Sequence, residues 1–249
     1  MLTSVRSLVA ATLFAGSVLV SAPAFADETD PPSDITVSAE VALTTDYRFR
    51  GVSLSEGDPA VQGGITVAHS SGFYAGVWSS SITGGPVYGS QELDFIAGWS
   101  GEVASGTTFD VGMTFYAYPN GHVGDANIWE PYAAISTTLG PATAKLGVAY
   151  AWEQDSLGGD DNLYVYGDID FGIPNTPLTI NTHLGYTDGA LGPDLLSGGT
   201  DKSGLDWSVG ATASLFGPLS LSVSYIGVEG ASVKGLSNDT VVATLTASF

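Results

Sequence analysis

Cysteine is absent, basic side chains are scarce, and no internal stretch stays apolar for long. Without cysteine there is no disulfide framework and no thiolate metal site. Six Lys and Arg against 26 Asp and Glu give a formal net charge of −20. That balance excludes a nucleic-acid binder, which works by neutralising phosphates with cations. Charged residues are only 13% of the chain, fewer than a soluble acidic domain carries, while the apolar share of 44% is too high for disorder. Beyond residue 26 no run approaches the roughly 20 apolar residues of a transmembrane helix. A membrane crossing by this chain therefore requires a closed β-barrel, because open strand edges leave unpaired backbone groups in lipid.

The first 26 residues have the organisation of a cleaved signal peptide. Arg6 supplies a thin positive start, Leu8 to Val20 a short apolar run, and Ala24-Phe25-Ala26 a small-residue cleavage site. Residues 27–34, with Pro31-Pro32, read as a flexible leader, and residues 35–249 as a single barrel domain.

What the chain does contain is alternation. Twelve stretches of period-2 patterning are separated by gaps that are alternately short and long. The short gaps fall around Ser71, Glu102, Gly140-Pro141, Pro174–Thr176 and Gly217-Pro218. The longer ones centre on Ser55, Gly85, Gly121, Gly158, Ser197 and Ser232. A soluble barrel has no reason to segregate tight turns from loops, whereas an outer-membrane barrel has short periplasmic turns and longer extracellular loops. The expected fold is all-β: a 12-stranded antiparallel up-and-down transmembrane barrel in a Gram-negative outer membrane. A secreted sandwich or lipocalin-like barrel would have shorter, less even strands with an apolar core.

Parity separates two faces. In Leu205–Phe216, Leu205, Trp207, Val209 and Ala211 oppose Asp206, Ser208 and Thr212. The outward set has an apolar middle and aromatic rims. Tyr47, Phe49, Trp129, Trp152, Tyr186, Trp207 and Tyr225 are expected near the loops, and Trp99, Phe109, Phe171 and Phe249 near the turns. Either face of Phe73–Ile82 could point outward. The closing strand, Thr240 to Phe249, must pair with the first strand, placed at Ile35–Arg50, and ends on an aromatic that the barrel-assembly machinery is expected to read.

Inward parity assigns the pore-lining candidates. The acids are Glu40, Asp46, Glu92, Asp94 and Asp110, followed by Glu130, Glu153, Asp168, Asp170 and Asp206. The bases are Arg48, Arg50 and Lys145. An excess of carboxylates favours cations over anions in a pore, unless loops plug the mouth. Arg48 and Arg50 are expected to clamp acids, since an unpaired buried guanidinium is costly. The expected function is passive diffusion of small hydrophilic solutes through an acidic, cation-preferring lumen. The rival is a plugged, non-conducting barrel serving as adhesin or structural element.

Enzymatic readings find little support. There is no Walker loop, zinc spacing or nucleophile elbow. His69 lies beside a turn, His122 in a loop and His183 on the inward face, which does not place a Ser–His pair on the outer rim of the lipid face. The loop acids Asp155, Asp160, Asp161, Asp188, Asp194 and Asp201 match no EF-hand and read as solvated rather than as a Ca²⁺ site. No cofactor is expected.

One region carries a family likeness. Asp46-Tyr47-Arg48-Phe49-Arg50-Gly51-Val52-Ser53, Asp58-Pro59-Ala60-Val61-Gln62-Gly63-Gly64 and Gly72-Phe73-Tyr74-Ala75-Gly76-Val77-Trp78 resemble the TorF-family porins, bacterial proteins of unknown function. The likeness is strong over residues 35–100 and reduces to general strand pattern beyond. It implies an outer-membrane barrel with a transport role and supplies no binding residues.

Overall fold

Period-2 alternation becomes a wall when each strand hydrogen-bonds two neighbours and the last returns to the first. In the computed structural model, which describes residues 34–249, twelve long strands close in this way. They are β1 (Ile35–Thr44), β4 (Ala60–His69), β5 (Phe73–Gly84), β6 (Gly89–Ala104), β7 (Thr107–Ala117) and β8 (Ile128–Leu139), then β9 (Ala142–Gln154), β10 (Asp160–Gly172), β11 (Leu178–Gly189), β12 (Ser203–Ser214), β13 (Leu219–Val228) and β14 (Thr240–Ser248). All pairings are antiparallel between sequence neighbours, except that β1 meets both β4 and β14. The remaining strands, β2 (Arg48–Phe49) and β3 (Val52–Ser53), pair only with each other. The expected signal peptide and all of the leader except Asp34 lie outside the described residues.

Closure is made by Glu40 opposite Ser248 through Thr44 opposite Thr244, and by paired backbone bonds between Ala39 and Phe249 of 2.8 and 3.0 Å. Tight turns at 70–72, 105–106, 140–141, 173–177 and 215–218 share one end with both described chain termini. Two boundaries differ from expectation. Strand β6 runs to Ala104 through an irregularity at Glu102–Ala104, so the turn is at 105–106 rather than at Glu102. The connection at Gly85 is one helical turn, α1 (Gly85–Tyr88), because β5 and β6 continue beyond their neighbours.

Burial is inverted relative to a soluble barrel. Along β9, Leu146, Val148, Tyr150 and Trp152 are exposed, while Gly147, Ala149 and Ala151 between them are buried. Side chains with less than 10% exposure include Glu92, Asp94, Asp110, Glu130 and Asp206, whereas Val61 and Val241 are at least 60% exposed. An apolar outside around a polar inside suits lipid as the solvent. The fold is that of a transmembrane barrel.

Interior aromatics need room, and glycine on the adjacent strand provides it. Tyr132 lies opposite Gly112, where a methyl group would stand 2.4 Å from the phenol oxygen. Tyr166 covers Gly147 in the same way. Parity on β5 is also settled. Tyr74, Trp78, Ser80 and Ile82 face inward, and Trp78 is kept there by an edge contact with Tyr47, ring centres 5.5 Å apart.

Candidate functional site: a hairpin folded into the bore

The first strand ends six residues earlier than expected. At Thr44 the chain leaves the wall, and residues 46–55 turn inward, with exposed residues 56–59 leading back to β4. Asp46 organises the fold-back: its carboxylate accepts Arg48 Nε at 2.6 Å, Ser53 Oγ at 2.5 Å and Ser55 Oγ at 3.2 Å. Between β2 and β3, Arg50 (φ 47°) and Gly51 (φ 78°) make a two-residue turn with both central residues left-handed, the tight-hairpin geometry. Glycine suits its position twice over, since a methyl group there would lie 2.3 Å from Val228 Cγ1.

The hairpin tip crosses the bore. Arg50 Nη2 donates to both oxygens of Glu130 on β8, at 2.7 and 2.8 Å, and its guanidinium lies 4.2 Å from the ring centre of Tyr164 on β10. Arg48 Nη1 donates to the carbonyls of Gly51, Leu236 and Asn238, tying the hairpin to the 229–239 loop. Backbone bonds from Ser53 to Leu236 and from Thr83 to Leu54 fasten its sides. Phe49 packs on Tyr116 beside an apolar cluster of Ile128, Ala151, Leu157 and Leu191 at the loop end.

Arg48 and Arg50 therefore have the acidic partners expected of them, but they are not on the first strand. Tyr47 and Phe49, expected on the lipid face, lie inside the barrel. The cause is the same in each case: the charged half of Asp46–Ser53 needs partners that only the interior holds. Glu153 departs as well. A register shift at Asp160/Asn162 breaks the alternation at the top of β9, and Glu153 is exposed at the rim.

Deeper in the bore is a second polar layer. His183 Nδ1 lies 2.6 Å from Asp168 Oδ1, and its Nε2 lies 2.9 Å from Asp206 Oδ1 and 2.8 Å from the Tyr164 hydroxyl. Carboxylates at both ring nitrogens suit an imidazolium with two N–H donors. Lys145 lies directly opposite Asp168, with Asp110 and Asp170 as further charged neighbours. Tyr74 donates to Asp110 at 2.7 Å and also meets the Tyr132 hydroxyl, while Asn181 donates to Asp170 at 2.7 Å. Glu40 is half-buried on β1. Sequence reasoning gave the interior tyrosines no role, although a Tyr on inward parity facing a Gly was the available signal.

The loop acids mostly serve the loops. Asp160 pairs with Lys202 at 2.7 Å, and Asp161 accepts from Tyr150 at 2.8 Å. Among the described residues no group of three metal-ligating side chains is arranged to hold an ion.

A profile described as "Bacterial protein of unknown function (Gcw_chp)" matches residues 28–249. The chain belongs to this family. No curated protein matches it in sequence. This Gcw_chp barrel is similar in fold to the NanC porin, with a TM-score of 0.57, 13% identity and coverage of 86% of this chain and 99% of that one. It is likewise similar to the KdgM porin, with a TM-score of 0.56, 12% identity and coverage of 85% and 98%. A second KdgM structure, "in complex with disordered oligogalacturonate", gives a TM-score of 0.55 at 10% identity, covering 86% and 97%. At these identities the Gcw_chp chain shares the porin-like barrel fold with them.

Proposed function

We propose that this barrel is a narrow outer-membrane channel for passive diffusion of small hydrophilic solutes, preferring cations. The observation that carries the reading is the charge lining the closed barrel. Asp46 and Glu130 are matched by Arg48 and Arg50, which among the described residues leaves Glu40, Glu92, Asp94, Asp110, Asp168, Asp170 and Asp206 with Lys145 and His183 as the cations of the lining. Fixed negative charge in a constricted bore raises the local cation concentration and repels anions. Oligogalacturonate, named with KdgM, is polyanionic, so it suits this interior poorly.

The hairpin favours a second reading, a barrel closed at the loop end. Conductance in a planar bilayer separates them. The channel reading expects small single-channel steps and a cation-selective reversal potential in a KCl gradient. Silence, or anion selectivity, would refute it.

Export through a signal peptide, insertion by the barrel-assembly machinery reading the last strand, and kinship with the TorF-family porins belong to the same proposal. Of the three motifs that carry the TorF likeness, Asp46–Ser53 lies in the hairpin, while the other two run into wall strands β4 and β5.

A further inference from the structure

Two interior carboxylates near the hairpin have no cation partner among the described residues. Glu92 and Asp94 occupy successive inward positions of β6, at 0% and 1% exposure. On one face of a strand, residues i and i+2 stand only about 6–7 Å apart. Tyr118 donates to Glu92 Oε1 at 3.1 Å, but Glu92 Oε2 and both oxygens of Asp94 accept no hydrogen bond from the protein. The Tyr47 hydroxyl also bonds the Glu92 carboxyl, but nothing comparable reaches Asp94. Asp94 is flanked by Trp78 and Tyr116 on the adjoining strands, and its charged neighbours, Glu92 and Glu130, are both acids. Arg50 is engaged by Glu130.

An ionised carboxylate taken out of water must be paired, coordinated or neutralised, because its desolvation cost otherwise exceeds any packing gain. Asp94 is excluded from solvent, has only acids as its charged neighbours among the described residues, and is unpartnered at both oxygens. We propose that Glu92 and Asp94 form a binding site for one hard divalent cation of the Ca²⁺ or Mg²⁺ class, beside the hairpin. Three free carboxylate oxygens are hard donors, and the two formal charges match one divalent ion. Tyr118, by holding Glu92 Oε1, leaves Oε2 as the ligand. With two carboxylates rather than three or more, water must complete the shell, and affinity belongs in about the 10⁻⁴–10⁻³ M range of weakly charged Ca²⁺ sites. The site also gives the wall under Tyr47 and Trp78 a reason to keep two acids where an apolar pair would pack.

The inference does not require the bore to conduct. The test uses the purified full-length barrel in detergent, with Tb³⁺ as a luminescent probe sensitised by Trp78, Tyr47 and Tyr118. Wild type should show one saturable Tb³⁺ signal displaced by Ca²⁺ and not by K⁺ at matched ionic strength. Asp94→Asn and Glu92→Gln should each weaken Ca²⁺ displacement at least tenfold, while exposed Asp188→Asn should leave it unchanged. Wild-type affinity in Asp94→Asn, or equal displacement by K⁺, would overturn the proposal. So would a wild type without a saturable signal whose acids simply hold a proton. If the variants fail to fold, the wild type still decides: CaCl₂ must raise its thermal midpoint saturably above ionic-strength-matched NaCl, and no rise overturns the site. Binding without conductance would keep this inference and refute the channel reading.

Discussion

Arg50 concentrates several costs in one side chain: a left-handed backbone, near-complete burial and a charge far from water. Glu130 offsets them, and Tyr164 adds a cation–π contact. Removing the cation leaves Glu130 buried without its counter-ion, which typically costs about 3–5 kcal/mol. Arg50→Gln should therefore lower unfolding stability by about that amount in detergent–urea titrations and loosen the hairpin tip; a loss below about 1 kcal/mol would mean that the pair is solvated. Asp194 illustrates a gentler case at the surface. Backbone N–H groups of Asp201, Ala231 and Thr200 hold its carboxyl below the usual aspartate range. A depressed folded-state pKa means the tie between the 190–202 and 229–239 loops is intact above the ordinary carboxylate range and lost as pH falls through the lower, folded value. Amide-exchange protection at Thr200 and Asp201 should hold from neutral pH down through the ordinary aspartate value of about 4 and fall only below it. In Asp194→Asn it should be weak at every pH, and equal protection in both proteins would dismiss the tie.

The hairpin Asp46–Ser55 is the element that distinguishes this barrel from an empty wall. Its anchors, at Glu130 and at the carbonyls of Leu236 and Asn238, lie far apart in sequence, so no local pattern could announce it. Alternation continues through Asp46, Arg48 and Arg50, and the inward side of a strand and the inside of a tucked hairpin give the same polar signature. Replacing residues 46–55 with a short Gly/Ser linker should leave the barrel folded and raise single-channel conductance several-fold. Unchanged conductance would show that the hairpin does not set the constriction. The strands, by contrast, were readable: β9 and β10 fall on the expected faces from end to end, apart from the bulge that exposes Glu153. Val111, at 42% exposure, faces outward opposite Trp99. Arg at position 111 should cost roughly 2–4 kcal/mol in folding titrations into lipid if it lies at mid-membrane depth. A neutral result would displace β7 from the lipid face.

For the whole molecule, closure is the decisive event. Strand β14 satisfies the edges of both β13 and β1, so deleting 241–249 exposes two unpaired edges at once. That truncation should abolish membrane insertion, whereas deleting 27–32 should not; normal membrane levels of the first would contradict it. The sequence by itself determined the wall: twelve alternating segments and their turn and loop ends. Those are local properties, written by a two-residue period and by where glycine and proline interrupt it. Only the tertiary structure decided that Arg48, Arg50, Tyr47 and Phe49 leave the wall for the bore, and that Glu92 and Asp94 stand unpartnered beside them. A guanidinium chooses among carboxylates by distance across the barrel, and that distance does not exist until the ring has closed.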